Sequence, residues 1–255
     1  MLDTARLYPR HPRNYKPLSG VRIVTLALNL PGPAAAARLR ALGAKVLKIE
    51  PPGGDPMAQM SPALYRAMHK AVPVRKLDLK TAEGQMALHE QLQQSDLLLT
   101  AFRTAALKRL GLDRRSLAAR HPHLSAVFVV GYPGAQGHLP GHDLTFQAEA
   151  GLIDAAQLPA TLLADMTGAL LVSEAALGAL LHQRVQGRGA MLDIALSDAA
   201  GFAAVPRALS MTAPGQLLGG ALPEYGVYVC ADGLVAIAAL EPHFKQALAL
   251  AAQGA

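Results

Sequence analysis

The feature that most constrains the fold of this chain is a strand–helix–strand pattern close to its start. Residues 21–28 form an apolar run rich in β-branched side chains, typical of a buried strand, and the Pro-Gly-Pro of residues 31–33 breaks it. Residues 34–42 are strong helix formers, Gly43 suits a helix C-cap, and residues 45–49 indicate a second strand. Because a helix connects the two strands, we expect them to be parallel.

The same alternation of apolar strands and helices continues along the chain. A weak capping signal at Thr81 begins the next helix, and Gly131 ends the last buried strand of the series. The predicted elements are a helix from Thr81 to about Gln94, strands at 97–100 and 124–130, and short helices at 107–110 and 114–120. This order predicts an α/β fold, with a Rossmann-like, mostly parallel sheet and flanking helices.

The pattern changes after Gly131. Residues 131–141 contain four Gly and two Pro and predict a loop, in the position where α/β folds bind ligands. Residues 165–183 predict a long, nearly uncharged helix, buried in a core or an interface. Residues 191–196 fit a strand or the start of a helix equally well. Residues 227–239 predict a β-hairpin that turns at Asp-Gly.

Composition and charge exclude several functional classes. The lone Cys230 excludes an intramolecular disulfide and a cysteine-based zinc site, and its place in a predicted strand indicates a core position. No apolar run approaches the length of a membrane span, and the start of the chain lacks the apolar segment of a signal peptide, so we expect a cytoplasmic protein. The net charge of +6 comes without Trp and with few Phe and Tyr, which disfavours nucleic acid as a partner. It leaves open a solvated basic tail or attraction of a small phosphorylated ligand.

Four ionisable residues stand out from apolar or Gly/Pro-rich surroundings. His142 and Asp143 follow the Gly/Pro loop, Asp165 begins the long apolar helix, and Glu241 ends the predicted hairpin. Each also has a purely structural interpretation. Asp143 and Asp165 suit helix N-caps, Glu241 suits a first helical turn, and His142 suits a hydrogen-bonded structural histidine. The histidines show no zinc-ligand spacing, and no metal site is predicted.

Several motifs occur in order from about Pro17 to Phe244. They are Pro17–Val24, Gly32–Pro33, Leu42–Pro56, Leu77–Gly84, Ala101–Arg103, Leu107–Leu112 and Gly187–Gly189, followed by Asp193 and Asp198. Together they resemble the family III CoA-transferase (CaiB/BaiF) superfamily. Within it, Gly141-His-Asp-Leu144 resembles the motif of the α-methylacyl-CoA racemase branch, whereas Glu50-Pro-Pro-Gly-Gly is more similar to the transferases.

The resemblance implies an enzyme of acyl-CoA thioesters and leaves two chemistries open. In racemase-like 1,1-proton transfer, His142 and Asp165 would serve opposite faces of the α-carbon, and Glu241 would orient His142. In a transferase, Asp165 would be the carboxylate nucleophile that forms an anhydride and then a thioester. Backbone N–H groups at the start of the Asp165 helix are candidates to stabilise the enolate oxygen. A non-catalytic acyl-CoA-binding protein is a further alternative.

The resemblance also implies how the substrate is bound. The CoA thioester would be a substrate, with no cofactor bound permanently. Arg103 matches a CoA-contacting arginine, and a basic segment before residue 77 matches the segment that contacts the nucleotide. The implied binding residues are Lys70, Arg75, Lys76, Arg103, Gly141 and Asp143. For the cations, the alternative is a solvated surface position.

The same family implies a domain organisation. We expect a basic N-terminal tail at 1–16, a Rossmann-like CoA-binding large domain at 17–210, and a linker with an abbreviated small α+β domain at 211–255. The resemblance implies that the chain is shortened at its C-terminal end relative to the family. The resemblance further implies a homodimer, either simple or interlocked as in the family, with acyl-CoA as partner and neither nucleic acid nor a membrane.

Overall fold

A computed structural model describes residue 12 and residues 14–253 of the chain. The described residues divide into two compact units, the first ending at Phe202 and the second beginning at Ala203. Most of the predicted basic tail at 1–16 lies outside the described residues. The predicted division between residues 210 and 211 stays a prediction.

The first unit is built on one parallel sheet. Its strands are β1 (Arg22–Thr25), β2 (Lys45–Glu50), β3 (Val74–Lys76), β4 (Leu97–Thr100), β5 (Ser125–Val130) and β6 (Met191–Ala195). They lie in the order β3-β2-β1-β4-β5-β6, and every neighbouring pair is parallel. This confirms the predicted α/β class, because each connection between neighbouring strands in sequence carries at least one helix.

Helices cover both faces of this sheet. They are α1 (Pro31–Ala41), α2 (Met57–Met60), α3 (Pro62–Met68), α4 (Ala82–Gln93), α5 (Thr104–Arg109), α6 (Arg114–Arg120), α7 (Asp143–Glu149), α8 (Leu163–Gln186) and α9 (Leu196–Ala203). Strand residues alternate between two apolar clusters: Ile23 lies in the cluster with α1 and α8, whereas Val24 lies in the cluster with α4, α5 and α6. Both side chains are about 1% exposed, so each strand contributes to two core layers.

Several predicted segments differ in detail from the structure, among them two that follow β5. Residues 191–196 combine both interpretations, because β6 ends at Ala195 and α9 begins at Leu196. The loop predicted at 131–141 contains one short 3-10 helix, Gly134–His138.

Helix α8 is long and apolar enough, by length and composition alone, to cross a membrane. Only one of its faces is buried in the core of the first unit, through Ala169, Val172 and Ala176. Its other face is exposed, so burial in the core is confirmed for one face only, and the alternative of burial in an interface stays a prediction for the other.

The second unit contains α10 (Val205–Ala208), a short π-helical turn at Leu217–Ala221, the hairpin strands β7 (Tyr225–Cys230) and β8 (Gly233–Ala238), and α11 (Pro242–Gln253). Cys230 pairs with Gly233, so the two residues of the turn are Ala231 and Asp232. The predicted Asp-Gly turn is thus displaced by one residue. Cys230 is exposed, and the prediction of a core cysteine is wrong because the hairpin leaves this strand end open to solvent.

Candidate active site

Asp165 lies in the first turn of α8 and is held there by another helix. The N-cap of α8 is Leu162, whose apolar side chain accepts no hydrogen bond. Instead, the backbone N–H of Asp165 donates to Oδ1 of Asp143, at 2.9 Å. Asp143, the first residue of α7, therefore caps α8 from outside. The structural interpretation of the sequence made each carboxylate the N-cap of its own helix. The structure contradicts this, because the N-caps are His142 and Leu162.

The carboxylate of Asp143 is buried and its second oxygen is also engaged. Oδ2 accepts a short hydrogen bond from Nε2 of Gln147, one turn further along α7. The same amide donates to the backbone oxygen of Thr161 at 3.2 Å, immediately before α8. Two elements thus hold Asp143 in place, and its position beside Asp165 is fixed.

Burial is the main reason why the side chain of Asp165 is hard to ionise. Desolvation, together with the neighbouring charge of Asp143, raises the pKa of Asp165 from 3.8 to about 6. The N-terminal end of a helix favours a carboxylate, so burial and Asp143 outweigh the helix dipole here. A carboxyl group with this pKa exchanges a proton readily near neutral pH.

His142 is brought to the same place by its neighbour in sequence. It occupies the N-cap of α7 and is exposed. Its backbone N–H donates to Oγ1 of Thr145 at 3.1 Å, and the Thr145 hydroxyl donates back to the His142 carbonyl at 2.8 Å. These bonds fix the backbone of His142 at the start of α7.

The structure changes one expectation about oxyanion stabilisation. The N–H of Asp165 donates to Asp143 and does not point to an empty oxyanion position. The N–H groups of Leu163 and Ala164, which come earlier in the first turn, remain the candidates there.

The role of Gly141 follows from packing. A Cβ atom at this position would lie 2.4 Å from two ring carbons of Phe146. Phe146 is buried with Ala164 of α8 and contacts the Tyr132 ring edge to face, with centroids 5.3 Å apart. A glycine at 141 thus lets the chain before α7 pack closely against the Phe146 ring. Its predicted part in CoA binding stays a prediction.

Glu241 belongs to the second unit. It is exposed directly before α11, and its backbone carbonyl accepts from the N–H groups of Phe244 and Lys245. Its predicted contact with His142 stays a prediction.

A cavity of about 780 Å³ lies at the carboxyl edge of the parallel sheet. Its walls follow the ends of β2, β3 and β4, and they are formed by Ile49–Gly53, Leu77–Lys80, Gln85, Phe102, Ala106, Arg109 and Leu110. The size suits a nucleotide-sized ligand.

The cavity is lined by two cations that are not among the predicted CoA-binding residues, whose role stays a prediction. Lys80 and Arg109 line it, whereas the predicted Lys70, Arg75, Lys76 and Arg103 are exposed residues outside its lining. Lys76 ends β3 and Arg103 precedes α5, so both lie at the same edge of the sheet. Lys80 and Arg109 both belong to motifs noted in the sequence, which is the signal that could have identified them.

Comparison with known proteins assigns the chain to a family. The model of CoA-transferase family III matches residues 18–254, so the chain belongs to this family. It is 32% identical to cinnamoyl-CoA:phenyllactate CoA-transferase of Clostridium sporogenes over 73% of the chain and 50% of that protein. It is 30% identical to human alpha-methylacyl-CoA racemase over 91% of the chain and 63% of that protein. The chain therefore spans roughly half to two thirds of these relatives.

A solved structure supports the same assignment. A CaiB/BaiF family protein from Brucella suis superposes with a TM-score of 0.79 at 27% identity, over 88% of this chain and 66% of that one. The family is one of enzymes, and its members named above include both transferases and racemases.

Proposed function

We propose that this protein moves the α-proton of an acyl-CoA thioester, in the manner of α-methylacyl-CoA racemase. The observation that carries the proposal is the contact between the His142–Asp143 turn and the start of α8, beside a carboxyl group of pKa about 6. An imidazole and a carboxyl group of this kind are two proton-transfer groups suited to neutral pH.

Inversion at carbon explains why two groups are needed. The proton leaves one face of the α-carbon and another returns from the opposite face, which a single fixed base does not reach. In one direction His142 takes the proton and Asp165 supplies one, and in the other direction they exchange roles. With a pKa near 6, about a tenth of Asp165 is protonated at pH 7, so both forms are available.

Charge and cavity support a CoA thioester as the substrate, with no cofactor bound permanently. CoA carries several phosphates, and the chain has a net charge of +6. Lys80 and Arg109 line the cavity, while Lys76 and Arg103 lie at the same sheet edge. These cations suit the nucleotide end of the substrate, with the thioester directed to Asp165.

Isotope exchange tests the proposal directly. The protein is incubated with (2R)- or (2S)-2-methylacyl-CoA in heavy water, and loss of the α-proton is followed by ¹H NMR. We expect exchange with the unmodified protein and a loss of about a hundredfold or more in His142→Ala and in Asp165→Asn. His138→Ala changes an exposed histidine of the preceding loop and is the matched control. Absence of exchange in the unmodified protein would reject racemase chemistry.

Transfer of CoA between carboxylic acids is the second candidate. The transferase from Clostridium sporogenes favours it, because that protein is 32% identical to this chain and the human racemase is 30% identical. In that reaction the Asp165 carboxylate attacks the thioester carbonyl, CoA leaves as thiolate, and an acyl anhydride forms. Hydroxylamine trapping of an acyl-enzyme that disappears in Asp165→Asn would favour transfer. CoA binding without either activity would favour a non-catalytic protein.

Three further parts of the proposal concern the whole protein. Glu241 is proposed to orient His142, so Glu241→Gln is expected to slow exchange without weakening CoA binding. A homodimer is proposed because α8 exposes an apolar stripe. A cytoplasmic location follows from the proposed substrate and stays a prediction.

A further inference from the structure

Charged side chains meet in the core behind one wall of the cavity. Lys48 of β2 is completely buried, and its ammonium forms a close ion pair with Oδ2 of Asp55. The same Nζ lies 3.4 Å from Oε1 of Glu50 and 2.8 Å from Nε2 of His69. The ammonium thus donates to Asp55 and His69 and lies within ion-pair distance of Glu50.

The partners of Lys48 are themselves held in place. Nδ1 of His69 lies 2.7 Å from the carbonyl of Tyr65, so this nitrogen carries the hydrogen and Nε2 accepts from Lys48. The Tyr65 hydroxyl donates to Oε1 of Glu50 at 2.8 Å. Burial and the charge of Lys48 lower the pKa of His69, which agrees with a neutral imidazole in this role.

Asp55 extends the cluster to a second loop. Its Oδ1 accepts from the backbone N–H groups of Asn29, at 3.1 Å, and Met57, at 2.9 Å. Asn29 follows β1 with a positive φ of 64°, an arrangement that costs free energy unless neighbours hold it. The ammonium of Lys48 thus connects β2, the segment after it and the connection after β1.

The segment between Glu50 and Asp55 is the wall in question. Pro51, Pro52 and Gly53 line the cavity, and Gly54 closes a turn by donating to the Pro51 carbonyl at 2.8 Å. Gly54 has a φ of +81°, a conformation that favours glycine. Both ends of this wall, Glu50 and Asp55, bind one ammonium.

A metal ion is a poor alternative occupant of the cluster. Glu50, Asp55 and His69 have ligand atoms close enough to hold one. The ammonium of Lys48 already lies among these atoms and supplies the positive charge that the carboxylates require.

We propose that Lys48 is a positioning residue, which holds the Pro51–Gly54 wall in the shape that binds the nucleotide end of CoA. The proposal rests on the proposed CoA-thioester substrate. Lys48 acts in two ways: it anchors both ends of the wall, and it neutralises carboxylates that would otherwise repel the phosphates of CoA. It is buried away from the ligand and is expected to act on binding rather than on proton transfer.

The test compares Lys48→Met with Lys45→Met, an exposed lysine of the same strand. CoA binding is measured by calorimetry, α-proton exchange by NMR, and backbone mobility by hydrogen–deuterium exchange. For Lys48→Met we expect the Kd of CoA and the KM of the thioester to rise about tenfold or more, with kcat within about threefold. Amide exchange should quicken in residues 51–57 and stay unchanged in β5 and α8. Lys45→Met should match the unmodified protein.

Two further variants keep the test decisive if Lys48→Met does not fold. Lys48→Met/Glu50→Gln/Asp55→Asn removes the buried charges together and should show the same loosened wall. Tyr65→Phe keeps the ammonium but frees Glu50, and should weaken CoA binding by about two- to threefold.

The outcomes separate this inference from the proposed function. An unchanged Kd for CoA, or faster amide exchange spread evenly over the protein, would overturn the positioning role. If the unmodified protein binds no CoA, the proposed substrate and the CoA part of this inference both fail. Amide hydrogen–deuterium exchange in residues 51–57 of Lys48→Met then still decides whether Lys48 holds the wall.

Discussion

Asp143 accepts hydrogen bonds from two helices at once, from the Gln147 amide within α7 and from the N–H of Asp165 in α8. It completes the open end of α8 and places a second carboxylate beside Asp165. The first effect stabilises the helix, whereas the second makes Asp165 harder to ionise. Asp143 thereby fixes the position of the candidate catalytic group and adds to the effect of burial on its proton affinity.

Replacing Asp143 with asparagine should separate these two effects. Asn keeps an oxygen to accept from the Asp165 N–H but removes the negative charge, so the pKa of Asp165 should fall below about 6. At pH 7 a smaller fraction of Asp165 is then protonated, and α-proton return from its side should slow severalfold. Titration of ¹³C-labelled aspartate side chains by NMR measures the pKa without relying on activity.

Glu174→Gln, an exposed carboxylate of the same helix α8, is the control for this titration. The pKa of Asp165 in the Glu174→Gln variant should equal that in the unmodified protein. An equal pKa in Asp143→Asn would show that burial alone raises it.

At the scale of elements, close packing at α4 shapes the cavity. Thr81 caps this helix by accepting from the N–H of Gly84, at 3.0 Å. A Cβ on Gly84 would lie 2.0 Å from the backbone oxygen of Asp78, in the segment that lines the cavity. A side chain at 84 would therefore displace either the helix or the cavity wall.

Two glycine-to-alanine changes should consequently have opposite effects. Gly84→Ala is expected to lower the free energy of unfolding by about 1–3 kcal/mol, through overpacking against the Asp78 backbone. Gly178→Ala, on the exposed face of α8 with nothing near its Cβ position, should raise it by about 0.5–1 kcal/mol through helix propensity. Urea unfolding measures both, and a stabilising Gly84→Ala would contradict the packing argument.

A pair of buried histidines joins α4 to the chain after α6. Nδ1 of His89 lies 2.9 Å from Nε2 of His121, and such a bond requires at least one neutral ring. Burial and Arg120 lower the pKa of both, that of His89 to about 4. His123, further along the same segment, also disfavours a charge on His121.

The stability of the first unit should therefore fall in mild acid. Unfolded histidines bind protons below about pH 6.5, whereas folded His89 does not until about pH 4 and the pKa of folded His121 is also lowered. Stability is therefore lost as the pH falls from about 6.5 towards 4. The expected loss is roughly 1–2 kcal/mol. His89→Asn/His121→Gln keeps hydrogen-bonding groups at both positions without titrating, and should reduce the dependence when urea unfolding is measured at pH 7.5 and 4.5. An undiminished dependence would assign it to other groups.

At the scale of the whole molecule, α8 exposes apolar side chains along one of its faces. Leu170, Leu177, Leu181 and Val185 are between 39% and 69% exposed and follow one stripe of the helix. Glu174 is the acidic residue among them. An apolar stripe of this length is costly to leave in water and is typical of an interface.

If this stripe forms the proposed homodimer, charges placed on it should separate the subunits. Leu177→Lys/Leu181→Lys is expected to weaken association by about a hundredfold or more, because buried ammonium groups lack partners there. Sedimentation equilibrium measures this, with Met86→Lys on the exposed face of α4 as control. A dimer that persists in the double variant would place the interface elsewhere.

Local patterns in the sequence predicted most of the first unit, and the reasons are visible in particular elements. The strands at 97–100 and the helix at 114–120 have the predicted bounds, since buried strands are continuous apolar runs and Asp113 caps the helix. The helix predicted at 165–183 begins and ends beyond those limits, because its first turn is capped by Asp143 and its last ends at Gly187 with φ of 68°. The signal for its start, Asp143, therefore lies outside the sequence of the helix itself.

The sequence by itself determined the parallel α/β sheet, because short apolar strands joined by helices have few ways to pack. The candidate catalytic residues came from the resemblance of its motifs to the family. Only the tertiary structure decided which residues meet. Asp143 and Asp165 lie 22 positions apart, and Lys48 meets His69 over 21. It also placed Lys80 and Arg109 in the cavity and left the predicted cations outside it. Such contacts depend on how helices are oriented on the sheet, which is set by the burial of the whole core rather than by any local pattern.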